Sequence, residues 1–136
     1  MKSLQRKVNG ILLLDKPKGD SSNHALQKIK RLFNAKKAGH TGTLDPLASG
    51  LLPVCFGEAT KVAQYLLDSD KRYLSEFIFG SSTTTGDAEG EILENKCWSS
   101  IDEADIVRRM SDMTGEFHQI PPMYSAIKSG GKRLYD

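Results

Sequence analysis

Residues 39–53, Gly39-His40-Thr41-Gly42-Thr43-Leu44-Asp45-Pro46-Leu47-Ala48-Ser49-Gly50-Leu51-Leu52-Pro53, constrain the chain more than any other stretch. Glycines, threonines and prolines at this density belong to a loop, and this loop carries a single carboxylate between a basic segment and an apolar one. Gly39 and Gly42 bracket His40-Thr41 and would let that dipeptide project from a tightly curved chain. The hydroxyls of Thr41 and Thr43 can tie down the local backbone or a neighbouring carboxylate. Pro46 fixes its own φ and biases Asp45 towards an extended backbone, which would hold the carboxylate in one direction. A carboxylate so held suits a nucleophile, a general base or a metal ligand, whereas the plainer reading of Asp45-Pro46 is a surface turn. Two phosphate chemistries drop out. No Gly-Lys-Ser/Thr follows the glycines as a Walker loop requires, and Gly39-His40 stand where an aspartyl-phosphate pump would need its aspartate.

With 136 residues, 38% hydrophobic and 26% charged, the composition is that of one globular domain rather than two, and no apolar run reaches membrane-spanning length. The basic N-terminus lacks the apolar region of a secretory signal, which makes the cytoplasm the expected compartment. Cys55 and Cys97 form no C-x-x-C pair, against a zinc knuckle or a disulfide framework. The net charge of +2 is small, but Lys2, Arg6, Lys7, Lys16, Lys18, Lys28, Lys30, Arg31, Lys36 and Lys37 all precede the loop. Such a basic flank suits a polyanion, although a solvated helix face would look similar.

A loose basic arm, residues 1–9, leads into Gly10-Ile11-Leu12-Leu13-Leu14, read as a buried strand that stops at the basic turn Asp15-Lys16-Pro17-Lys18-Gly19. Ser21 or Ser22 can cap a following helix with Ala25, Ile29, Leu32 and Phe33 as its apolar stripe. Beyond the loop, Leu51-Leu52-Pro53-Val54-Cys55-Phe56 reads as an anchor with a short edge pairing, since proline interrupts it. A helix is expected from Glu58 to Leu67 with Ala59, Val62, Ala63 and Leu66 on one face, and then a strand from Arg72 to Phe79. Tyr73, at its start, could stack on a planar substrate or pack beside Phe77.

The polar stretch from Gly80 to Gly90 should connect that strand to a second one around Glu91 to Asn95. Its acidic residues fit a hairpin connection better than a calcium loop. Ser100 with Glu103 forms a capping box before a helix whose Ile106, Met110 and Met113 would fill core, and Gly115 closes it. The tail offers an extended proline segment, a short strand, a Gly130-Gly131 turn and the opening of an element cut off at Leu134-Tyr135, as in a fragment of a longer protein. These elements imply an α+β fold, a mixed and largely antiparallel sheet with flanking helices, incomplete in this chain.

The loop, followed by Gly57-Glu58-Ala59-Thr60-Lys61, resembles the aspartate motif of the TruB family of tRNA pseudouridine synthases. Further similar segments run in order: Gly10 to Pro17, Gln64 to Tyr73, Thr83 to Gly90, and Gln119 to Lys128 with Gly131-Lys132. The resemblance implies that residues 10–136 are the N-terminal portion of a catalytic domain with the pseudouridine synthase fold. It implies an isomerase that converts uridine 55 in the T-loop of tRNA to pseudouridine with no metal or organic cofactor, acting as a monomer. Asp45 would then be the nucleophile, at ribose C1′ or uracil C6, and Tyr73 would stack on the base and assist proton loss from C5. His40 would keep the extruded nucleotide out of the stack, and Thr41, Gly42 and Thr43 would line the substrate side of the loop. Lys16 and Pro17 would support the loop or touch RNA, and Tyr124 would line the pocket or brace it. An arginine that pairs with the aspartate, a leucine near the base and an RNA-binding domain lie further downstream in that family, so this chain alone is expected to turn over weakly or not at all. The competing reading is a tRNA-binding or RNA-folding module without chemistry. An aspartate-dependent nucleotide hydrolase would need a metal cluster or a second carboxylate that the sequence does not offer at ligand spacing.

Overall fold

The computed structural model describes residues 4–118 and two short strands, Lys128–Ser129 and Lys132–Arg133. The chain divides into two units, Met1–Tyr73 and Leu74–Asp136.

The first unit is built on a three-stranded antiparallel sheet ordered β1-β3-β2, with β1 Gly10–Lys16, β2 Ala38–His40 and β3 Gly50–Phe56. β1 runs two residues past the expected stop, because Asp15 and Lys16 still find partners in Leu51 and Gly50. The segment read as an edge anchor is the central strand. Its proline is accommodated by geometry: the Pro53 carbonyl accepts from the Thr41 amide at 3.1 Å, so residue 53 turns its hydrogen-bonding side towards β2, where the ladder ends one residue earlier at His40–Val54. On the β1 side Pro53 faces Leu13 where no N–H is called for, and the missing donor costs no bond there.

Helix α1, Ser22–Leu32, is capped by Ser21, whose hydroxyl accepts from the His24 amide at 3.1 Å. Its buried face is Ser22, Ala25 and Leu26, with Ile29 partly buried, while Leu32 is 77% exposed and so lies outside the stripe assigned to it. The core joins Leu26, Ala35, Val54 and Phe56, with Val8, Leu12, Leu14, Ile29 and Ala38 packed on them. Phe33 meets Phe56 in a tilted aromatic contact at 5.2 Å. β1 is therefore buried on one face only, since Ile11 and Leu13 are exposed.

The arm is not loose from residue 4 onward. The Arg6 amide donates to Asn34 O at 2.7 Å and the Lys36 amide to Arg6 O at 3.0 Å, while Asn34 Nδ2 reaches Leu4 O. Asn9 Oδ1 accepts from the Glu58 amide at 2.9 Å. The expected helix from Glu58 to Leu67 is two short pieces, a 3₁₀ turn Gly57–Lys61 and α2 Ala63–Leu67, and neither buries a residue. Residues 72–79 form no strand. Alternation alone does not stabilise a strand without a neighbour to satisfy its backbone, and among the described residues no strand pairs with them.

In the second unit, β5 Ile92–Asn95 forms where the second strand was expected, and its antiparallel partner is β4 Ser81–Thr83, from residues assigned to the connection. Its connection is held by Asp87, whose carboxylate accepts from Thr85 Oγ1 at 2.5 Å and the Glu89 amide at 3.0 Å. Helix α3, Glu103–Asp112, is capped by Asp102 instead of Ser100: the Asp102 carboxylate accepts from the Asp105 amide at 2.8 Å. Met110 and Met113 are exposed, not core filler, and no described residue of 74–118 is buried. β6 Lys128–Ser129 pairs antiparallel with β7 Lys132–Arg133, and the expected Gly130-Gly131 turn lies outside the described residues.

Candidate functional site

Gly39 and His40 lie in β2, and the loop proper leaves the sheet at Thr41 and returns at Gly50. Of the two glycines assigned to its curvature only Gly42 takes a positive φ, +139°, and Gly39 is ordinary strand. At the tip Asp45 opens a turn in which the Ala48 amide donates to Asp45 O at 3.0 Å, with Pro46 in the second position, which proline's fixed φ favours. Asp45 is exposed, and among the described residues its carboxylate takes no hydrogen bond or ion pair. The residues form the plain surface turn, and what is held in it is the backbone on either side of Asp45.

What holds the turn comes from the first residue of α1 and from the connection before it. Ser22, 2% exposed, donates from Oγ to Leu44 O at 2.9 Å, and the same oxygen accepts from the Leu44 amide at 2.8 Å. The Gly19 amide donates to Pro46 O at 2.7 Å, from a backbone with φ +94° that glycine adopts readily. Asp45 is tethered on both sides. Ser22 was open to sequence reasoning only as an alternative helix cap, and nothing local distinguishes a hydroxyl that crosses to residue 44 from one that caps. The threonines do not share this work: Thr43 is exposed, and Thr41 Oγ1 is buried with no partner among the described residues.

Lys16 is fully buried. Its Nζ donates to Asp20 O at 2.6 Å and to Pro17 O at 3.1 Å, which closes the connection that carries Gly19 and Ser22. The expected basic turn therefore has Lys16 inside, while Pro17 and Lys18 are exposed. Asp20 turns its carboxylate to Lys28 Nζ at 2.8 Å and His24 Nδ1 at 3.0 Å, and the hydrogen bond from Lys28 chiefly holds its pKa below the ordinary carboxylate value.

His40 is half-buried beside Val54 in the sheet register, and its Nδ1 has no partner among the described residues. Tyr73 is 67% exposed in an irregular segment, and no hydrogen bond joins it to Asp45. Tyr124 and the proline segment around it lie outside the described residues. Burial pushes the Cys55 thiol pKa up, in keeping with an inert core position. Among the described residues no group of three His, Cys, Asp or Glu side chains could hold a metal ion, and no helix is long and apolar enough to cross a membrane. A polar depression of about 370 Å³ lies between Gln5 and the end of α1, lined by Lys30, Arg31 and Asn34 and by no residue of the Asp45 loop.

Residues 30–136 match the family described as TruB family pseudouridylate synthase (N terminal domain). The chain is 55% identical to tRNA pseudouridine synthase B of Saccharophagus degradans over 130 residues, 96% of this chain and 42% of the relative. It is 58% identical to the protein of the same name from Neisseria meningitidis serogroup B over 135 residues, 99% of this chain and 44% of the relative. It thus spans less than half the length of these relatives. Among solved structures it is similar to a chain of a Cbf5-Nop10-Gar1 complex, with 32% identity, TM-score 0.57, and 88% and 31% of the two chains covered. It is likewise similar to a chain of an H/ACA RNP bound to a substrate RNA containing 2'-deoxyuridine, with 34% identity, TM-score 0.55, and 81% and 29% covered.

Proposed function

The chain belongs to the TruB family of pseudouridylate synthases, and from that premise we propose that it carries the nucleophile of an enzyme converting uridine 55 in the T-loop of tRNA to pseudouridine. The observation that carries this reading is the presentation of Asp45, an exposed carboxylate on a turn fixed at Leu44 and Pro46. An Asp45 oxygen attacks ribose C1′, and uracil N1 leaves with the bonding pair. The base turns, C5 bonds to C1′ and the carboxylate is expelled; C5 then loses its proton and N1 is protonated, so no atom is gained or lost overall. Attack at uracil C6 is the other route open to the same carboxylate.

Tyr73 is exposed enough to stack on the base and assist proton loss from C5. His40 stands at the end of β2 where the loop begins, suited to holding the extruded nucleotide out of its stack, with Thr41, Gly42 and Thr43 following it on the substrate side. Lys16 supports the loop from within, Pro17 lies on the surface beside it, and Tyr124 is assigned to the pocket wall by resemblance. The reaction needs no cofactor, the site is cytoplasmic, and the enzyme works as a monomer on free tRNA. The Cbf5 similarity is to a chain that sits in a complex with other proteins, so a protein-assisted assembly is the contrasting arrangement.

The test is tritium release from T-loop RNA labelled at uracil C5. The full-length protein should release tritium, and Asp45→Asn should lose at least about a thousandfold in rate while still binding RNA. Equal release by the two would refute the nucleophile. No release by either would leave a tRNA-binding module as the function.

A further inference from the structure

The three hydrogen bonds that straddle Asp45 go beyond anchoring a loop to a core. Leu44 is held at both its amide and its carbonyl by one oxygen, Ser22 Oγ, so the peptide planes on either side of residue 44 are fixed. Two residues on, Pro46 O is fixed by the Gly19 amide, and the proline ring sets the φ of residue 46. Between these points only the two dihedrals of Asp45 and the ψ of Pro46 remain, and proline restricts the first pair further. That frame, with the Ala48 amide donating to Asp45 O, narrows the directions open to the Asp45 Cβ. Ser22 is not needed to start α1, since Ser21 supplies the cap.

We propose that Ser22 is a positioning residue for the reaction, its buried hydroxyl clamping Leu44 so that the Asp45 carboxylate is aimed before RNA arrives. The proposal rests on the reading of Asp45 as nucleophile. A hydroxyl donates and accepts through one atom, which lets it hold the amide and the carbonyl of Leu44 together. Alanine would leave both polar groups of Leu44 without their partner and free the frame on one side. A carboxylate that must lie close to C1′ for attack loses rate when its mean position drifts by a fraction of an ångström.

The experiment uses the full-length protein and reads three quantities: single-turnover tritium release, RNA affinity, and hydrogen exchange of the Leu44 amide. Ser22→Ala should exchange faster at Leu44 and turn over roughly ten- to a hundredfold more slowly, with RNA affinity within about twofold. Ser22→Thr keeps the hydroxyl and should restore both exchange protection and most of the rate. If the alanine protein does not fold, Ser22→Cys keeps the volume and weakens both bonds, and it should fall between the two. Ala25→Gly, on the same helix face, is the control for general destabilisation. The proposal is overturned if Ser22→Ala leaves Leu44 exchange or the rate unchanged, or if Ala25→Gly slows turnover equally at a matched loss of melting temperature. Should Asp45→Asn turn over like the parent, the nucleophile reading fails, while Leu44 exchange in the Ser22 variants still decides whether the clamp exists.

Discussion

The residue that departs furthest from its chemical stereotype is Lys16. A lysine in a run with Lys18 would ordinarily face solvent, yet β1 continues two residues further and turns Lys16 onto the covered face with Leu12 and Leu14. Its four-carbon stem packs there, and its ammonium donates one hydrogen bond each to the carbonyls of Pro17 and Asp20. Lys16→Met keeps the stem and strips both donors, so unfolding in denaturant should show a loss of about 1–3 kcal/mol. Asp20 makes a pH-dependent contribution to the same connection. Its folded pKa is depressed, so its stabilisation is complete above the ordinary value of 3.8 and disappears as pH falls through the lower folded value. Melting temperatures of Asp20→Asn should therefore lie below the parent near neutrality and converge with it in acid below that window. A gap that does not narrow as the pH is taken below 3.8 would contradict the assignment.

Among elements, β3 shows how far a local rule carries. Proline demotes a strand to an edge when its missing N–H would face a partner, and here it faces the point where β2 stops, so the strand stays central. Which way the missing N–H points is decided by the register of β3 on its two neighbours. The helix expected over residues 58–67 divides at Val62 into a 3₁₀ turn and α2, and the residue that starts the first piece depends on tertiary contacts. Gly57, at φ +55°, bends the chain under the arm, where a Cβ would run into the Val8 carbonyl and the Asn9 side chain. Gly57→Ala should cost at least ~1–2 kcal/mol by chemical denaturation from the left-handed backbone alone, and more from the collision. The capping box at Ser100 failed because Asp102, two residues on, offers an ionised acceptor closer to the first turn of α3.

The whole molecule is uneven in its support. The first unit has a sheet with one face covered by a helix, whereas the described residues 74–118 bury none of their apolar side chains, Leu74, Phe77, Ile78 and Trp98 included. Residues 1–73 expressed alone should give a cooperative thermal transition by circular dichroism, and residues 74–136 alone should give none. A sharp transition in the second piece would show packing that its described side chains do not account for.

The sequence by itself determined the chemistry on offer: one carboxylate in a glycine and proline loop, a strand and a capped helix before it, a hairpin in the acidic half, and the family. These are legible because turn-forming residues, caps and contiguous motifs act over a few positions. Only the tertiary structure decided that Ser22 and Gly19 hold Leu44 and Pro46, that Lys16 is internal, and that Pro53 sits in a central strand. Ser22 and Leu44 are 22 positions apart, and the places of Lys16 and Pro53 follow from β1 and β2 pairing with β3; such meetings are set by register and packing, which no local pattern encodes.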